Sequence, residues 1–155
     1  STFRPLHSLL PYRYIFHSSS LQGNQLIKKN CLYLQKIQLN LEQTMRMANN
    51  VLECVRETHV DFSALLRIRN KEYLDSKEEK DFISCAFFKF NVASKEGVVD
   101  GDSIIAIYPD SVDKSALKAV IDQCKVQVES IKKTKEKLFA FFKCYQKNVP
   151  VHLDY

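Results

Sequence analysis

Five cysteines and four histidines are the residues of this 155-residue chain best equipped for chemistry. Zinc needs thiolates and imidazoles in close pairs, because one small ion must hold all four ligands at once. The nearest two cysteines, Cys124 and Cys144, are 20 positions apart, and the chain contains no CxxC or HxxxH pair. His7, His17, His59 and His152 sit beside no cysteine or serine in a catalytic arrangement. There is no GxSxG elbow, no P-loop and no GxGxxG. Asp100-Gly101-Asp102 opens like a calcium loop, but the later ligands, the central glycine and the closing glutamate are missing. No catalytic residue, metal or cofactor is expected, and the chain is read as non-enzymatic. The chemistry left is sulfur to sulfur. Widely separated cysteines suit disulfides in an oxidising compartment, and buried free thiols acting as small apolar residues are the alternative.

The elements that must position these cysteines are helices. No glycine or proline falls between residues 24 and 96, so the strongest helix breakers are absent there. Residues 76–91, SKEEKDFISCAFFKFN, form the hub. Ser76 and Glu79 have the spacing of a reciprocal cap, and Glu78 and Glu79 suit the helix dipole. Phe82, Ile83, Cys85, Ala86, Phe87, Phe88 and Phe90 then cover several faces, which predicts burial on most sides.

Before the hub, Asn40 caps a helix marked by Leu41, Met45, Ala48, Leu52 and Val55, with Cys54 near its end. Asp61 caps a short segment over residues 62–69. After the hub, GVVDG at residues 97–101 is a tight polar turn. Asp102 or Ser103 starts a short helix stopped by Pro109, and Asp113 caps another through Cys124 and Val128. The last helix covers about residues 130–146 and carries Cys144, and Pro150 ends the regular structure. The class is all-α, with six helices from residue 40 onward.

Charge divides the chain at the same place. Residues 1–39 hold Arg4, Arg13, Lys28, Lys29 and Lys36 and no acid, whereas residues 40–155 are balanced between bases and acids. The net +5 therefore belongs to the first segment. A neutral, mixed surface on the rest argues against a nucleic-acid partner. No run approaches the ~20 apolar residues of a membrane span. Residues 1–39 read as an N-terminal extension or leader, poorly ordered or weakly helical over residues 26–39. Their apolar stretch is too interrupted for a secretory signal, and their lack of acids weakly resembles a mitochondrial transit segment.

The spacing of Cys54, Cys85, Cys124 and Cys144, with 30, 38 and 19 residues between them, resembles the insect odorant-binding protein family, the pheromone- and general-odorant-binding fold. The aromatic segment after Cys85, the GVVDGDSI turn and the AVIDQC helix end match as well. The four cysteines stand where that family has its first, third, fourth and sixth. Its second would fall at Asp81 and its fifth at Lys135, so this chain resembles the four-cysteine minus-C subgroup. The resemblance covers residues 40–155 and leaves Cys31 outside.

The resemblance implies disulfides Cys54–Cys85 and Cys124–Cys144 and a compact array of about six short helices around an apolar cavity. Asp81 and Lys135 would then lie within reach of an ion pair replacing the lost bridge. The implied function is a secreted carrier, in extracellular lymph or haemolymph, of small hydrophobic ligands such as odorants, pheromones, related semiochemicals and lipids. Met47, Ile83, Phe87, Phe88, Ile104, Tyr108, Ile121, Leu138, Phe141 and Tyr145 are the candidate lining, and an ordinary filled core is the plainer reading of each. Tyr108, Tyr145 or Ser84 would supply a hydroxyl anchor. The partners are the small hydrophobic molecule and a membrane receptor receiving it, with no nucleic acid and no membrane insertion. The chain is expected as a monomer or weak homodimer. His152 and Asp154 are titratable groups of a C-terminal tail that covers or enters the pocket in some members of that family. The rival readings are an intracellular helical adaptor with reduced cysteines and a mitochondrial matrix protein.

Overall fold

The computed structural model describes residues 36–154. Among them are six helices: α1 (Leu41–Thr58), α2 (Phe62–Arg69), α3 (Lys77–Lys89), α4 (Gly101–Ile105), α5 (Lys114–Val128) and α6 (Thr134–Asn148). Two short strands flank them, β1 (Lys36–Gln38) and β2 (His152–Asp154). The expected leader and Cys31 lie outside the described residues, apart from the few positions that include β1.

Each helix start has a local cause. Asn40 accepts the Gln43 amide at 2.8 Å while Gln43 accepts the Asn40 amide at 3.3 Å, a closed capping box at α1. Asp61 takes the Ala64 amide at 2.7 Å at the head of α2. Bonds from Ser63 and Ala64 hold the Asp61 carboxyl below its ordinary 3.8. Asp113 does the same service for α5 through the Ala116 amide at 3.1 Å. The short α4 begins earlier than expected, because Asp100 rather than Asp102 or Ser103 is its cap and accepts the Ser103 amide at 3.2 Å. The last helix starts at Thr134, a few residues later than expected, with Lys133 making no side-chain cap bond.

At α3 the expected reciprocal cap is half made. Ser76 accepts the Glu79 amide at 3.2 Å, but Glu79 does not return the bond. Its fully buried carboxylate takes the Leu74 amide on both oxygens at 3.1 Å and faces Arg67 Nε at 3.6 Å. A buried charge needs a cation and donors around it, and this site supplies both. Glu79 thus ties α2 and the 70–76 connection to the hub.

The hub reading holds: α3 packs against α1, α2 and α6, while α5 packs on α6 and α4 on α5. Phe82, Ile83 and Phe87 of α3 are buried with Leu117, Ile121, Leu138, Phe139 and Phe141 of the last two helices. Gly97 turns the chain with φ 85, and Ala93 bridges Val99 across that turn. Gly101 has a different reason. A β-carbon there would meet Ile121 Cγ2 at 3.0 Å, so α4 sits on α5 at a distance only glycine permits without a shift.

Two features differ from the sequence reading. Residues 36–38 are extended rather than helical, and pair in parallel with the tail in the register Lys36↔His152, Ile37↔Leu153, Gln38↔Asp154. In α1, the stripe that signals the helix is not its buried face. Leu41, Met45, Ala48 and Leu52 are exposed, while Cys54 is fully buried with Val51 and Val55 half-buried beside it.

Candidate functional site

The two bridges set the frame. Cys54–Cys85 ties α1 to α3 and Cys124–Cys144 ties α5 to α6, each with Cα atoms 5.7 Å apart. Cys54 and Cys124 are fully buried, so each bridge is rooted in the core. Between the tied pairs run α3 and α6, and here charge stands where the resemblance places sulfur. Lys135 Nζ lies 2.7 Å from Asp81 Oδ1, and Lys77 holds the other carboxylate oxygen at 2.6 Å. Burial works against the ionised Asp81, yet the bonds from Lys135 and Lys77 prevail and keep its carboxyl below its ordinary 3.8. Lys80 and Glu136 make a second pair across the same junction at 3.0 Å.

Inside this frame runs a string of aromatic rings. Phe87 of α3 meets Phe141 of α6 edge to face at 5.9 Å, and Phe141 stacks on Tyr145 at 6.1 Å. The Tyr145 hydroxyl is hydrogen-bonded to that of Tyr108, just beyond α4. Burial pushes the Tyr145 phenol far above its ordinary 10.0, and Tyr108 adds to the effect. The Tyr145 hydroxyl is therefore a neutral hydrogen-bonding group across the physiological range. Ile83, Ile104, Ile121 and Leu138 are buried in the same cluster, and Phe88 packs against it half-buried.

Met47 stands apart. It lines a surface cleft of about 280 Å³ with Phe90, Ala106 and Ile107, between α1, the end of α3 and α4. Its rim is cationic but committed: Arg46 is held by Glu42 at 2.8 Å, and Lys89 by Glu53 and Glu57 at 3.0 and 2.8 Å. A second surface cleft of about 210 Å³ has an apolar floor of Val98, Val99, Val126 and Val128 beside Lys125 and Lys137.

The three candidate hydroxyls are not equivalent. Tyr108 and Tyr145 bond each other, whereas Ser84 is 1% exposed and its Oγ finds no hydrogen-bond partner among the described residues. A buried hydroxyl left unmade costs roughly 1–3 kcal/mol. Ser84 lies one helical turn before Phe87 and Phe88, on their side of α3.

Several buried residues were not singled out from sequence. Phe139 is buried and meets Tyr73 edge to face at 5.8 Å, with Lys143 Nζ 4.9 Å from the centre of its ring. Phe139 directly follows Leu138 in the run LFAFF, so helical spacing alone left it ambiguous. The tail is anchored by buried Val149 and Val151 before β2 begins. Among the described residues no three histidine, cysteine or acidic side chains gather as a metal site, and no helix is long and apolar enough to cross a membrane.

Among solved structures, the chain is similar to the fatty acid binding protein OBP56a from the oral disk of the blowfly Phormia regina. Identity is 26% and the TM-score 0.57, over 71% of this chain and 94% of that one. No curated protein matches it. Residues 36–148 match the PBP/GOBP family, a span that contains all six helices and both bridges. The chain therefore belongs to the PBP/GOBP family, the odorant-binding family its cysteine spacing resembles.

Proposed function

We propose that this protein is a secreted, non-enzymatic carrier that takes small hydrophobic molecules between its helices and delivers them to a membrane receptor without altering them. The observation that carries the reading is the aromatic string Phe87–Phe141–Tyr145 held between two disulfide-tied helix pairs. Such rings offer a large apolar contact of fixed shape. Burying ~300 Å² of ligand surface against them is worth roughly 7 kcal/mol before the costs of binding are subtracted. That ceiling corresponds to about micromolar affinity.

Ile83, Phe87, Phe88, Ile104, Tyr108, Ile121, Leu138, Phe141 and Tyr145 form the lining, and Met47 contributes from the surface cleft beside α4. Ser84 is the polar anchor, because its buried hydroxyl is the one of the three candidates that the described residues leave unpaired. The ligand class is an odorant-like or lipid-like chain with an oxygen at one end, in keeping with the fatty acids named for the blowfly protein. Secretion fits the bridged cysteines, which also speak against an adaptor with reduced thiols.

The test is titration of the folded protein with a fluorescent apolar probe such as N-phenyl-1-naphthylamine, followed by displacement with medium-chain alcohols, esters, fatty acids and hydrocarbons. Saturable, one-to-one binding and displacement are expected, and folded protein that fails to saturate ends the carrier reading. In Ser84→Ala, affinity for oxygenated ligands should fall about 2- to 10-fold while hydrocarbon affinity is unchanged. Equal losses for both ligand types would remove Ser84 from the anchor role and leave the carrier reading in place.

A further inference from the structure

We propose that α1 is a self-association surface whose partner is the α1 of a second copy, running antiparallel to it. Leu41, Met45, Ala48, Leu52 and Val55 follow one another at steps of four and three, the spacing of a coiled-coil seam. A lone domain would bury such a stripe. Here Leu41 is 76% exposed, Met45 56% and Leu52 51%, Ala48 is exposed as well, and only Val55 is half-buried. The helix already meets the core with its other side, through Cys54. Apolar side chains lined up in water from Leu41 to Leu52, along about 17 Å of helix, mark an interaction surface rather than scattered exposure.

Charge selects the occupant. Along one edge of the seam stand Glu42, Asn49 and Arg56, seven residues apart. Two α1 helices paired antiparallel about a two-fold axis near Asn49 bring Glu42 against Arg56 of the second copy, Asn49 against its own counterpart, and Arg56 against Glu42. A parallel pair would set the same edge against Thr44, Val51 and Thr58, which carry no charge. The other acids of the helix are committed, since Glu53 and Glu57 both hold Lys89. Glu42 also holds Arg46 at 2.8 Å, in an exposed pair that a second cation can share. A lipid surface is the poorer occupant, because the helix carries three acids against two arginines and gains nothing from anionic headgroups. One helix pair buries less than the ~1,200 Å² of a standard interface, so the dimer forms reversibly and follows concentration.

The experiment is sedimentation of the full chain over a wide dilution series, with Cys31→Ser to remove a cross-link through that thiol. The mass should rise with concentration from 18.0 kDa toward twice that value. Met45→Glu with Leu52→Glu should keep the chain monomeric with its circular dichroism and melting temperature unchanged, both side chains being more than half exposed. Glu42→Arg should weaken association roughly 3- to 10-fold, and adding Arg56→Glu should restore it. A chain that is monomeric up to its solubility limit overturns the proposal, as does a Met45/Leu52 double variant that still dimerises. Charge reversals that do not compensate overturn the antiparallel register. Co-sedimentation of a monomeric chain with phosphatidylcholine vesicles would assign the stripe to lipid instead.

Discussion

Two helix junctions in this domain are closed by sulfur, whereas the junction between α3 and α6 is closed by charge and packing. Cys54–Cys85 and Cys124–Cys144 bind α1 to α3 and α5 to α6. The α3–α6 junction has Asp81–Lys135 and Lys80–Glu136 instead, with Phe87 against Phe141 further along. The two kinds of closure act on different states. A disulfide removes freedom from the unfolded chain, whereas an ion pair leaves the unfolded chain alone and is screened by salt. The ion pair also contributes less, about 0–1 kcal/mol when one partner is as exposed as Lys135. Neither bridge joins α3 to α6 directly, so the packing and ion pairs of that junction hold it without a covalent tie. Asp81 and Lys135 restore the contact but not its permanence.

Breaking sulfur gives the largest effect. Replacing Cys54 and Cys85 together by alanine should lower unfolding free energy by about 3–4 kcal/mol in urea titration, and replacing Cys124 and Cys144 by slightly less, since that loop is shorter. A loss under ~1 kcal/mol would show that packing, not the bridge, holds the junction. Adding sulfur is the converse. Asp81→Cys with Lys135→Cys should close a third bridge, stabilise the fold by up to about 4 kcal/mol less any strain, and slow release of a bound probe in stopped-flow. Unchanged release with the bridge formed would mean that ligand leaves elsewhere.

The smallest effect sharpens the comparison most. A double-mutant cycle on Asp81→Asn and Lys135→Met should give a coupling of about 0.5–1 kcal/mol that vanishes in ~1 M salt. Because the Asp81 carboxyl is held below its unfolded value, its contribution is complete above about pH 4 and is lost as pH falls through the folded value. Coupling that survives in acid would assign the effect to packing of the lysine stem.

Much of this architecture is legible in the chain, because caps and hydrophobic period are local. Asn40, Asp61, Ser76 and Asp113 all begin helices where their side chains can take a free amide. Long-range outcomes were less legible. The stripe of α1 announces a helix, but nothing within it tells whether the stripe meets the core or water. Glu79 has the spacing of a cap partner, yet the better donor, the Leu74 amide, comes from the preceding turn. The β1–β2 pair joins segments more than a hundred residues apart, and three residues carry too little alternation to announce a strand. For the site, type and helical face identified buried aromatics, while the pairing of the tyrosine hydroxyls and the isolation of Ser84 depend on side-chain placement in three dimensions.

The parallel pairing of β1 with β2 makes the tail's freedom depend on where the polypeptide is cut. A protease cleaving at Leu39 would remove the one strand that β2 pairs with among the described residues, while Val149 and Val151 stayed buried. Trimming one end of the chain would thus loosen the other, and two forms that start on either side of β1 would differ in how residues 152–154 are held.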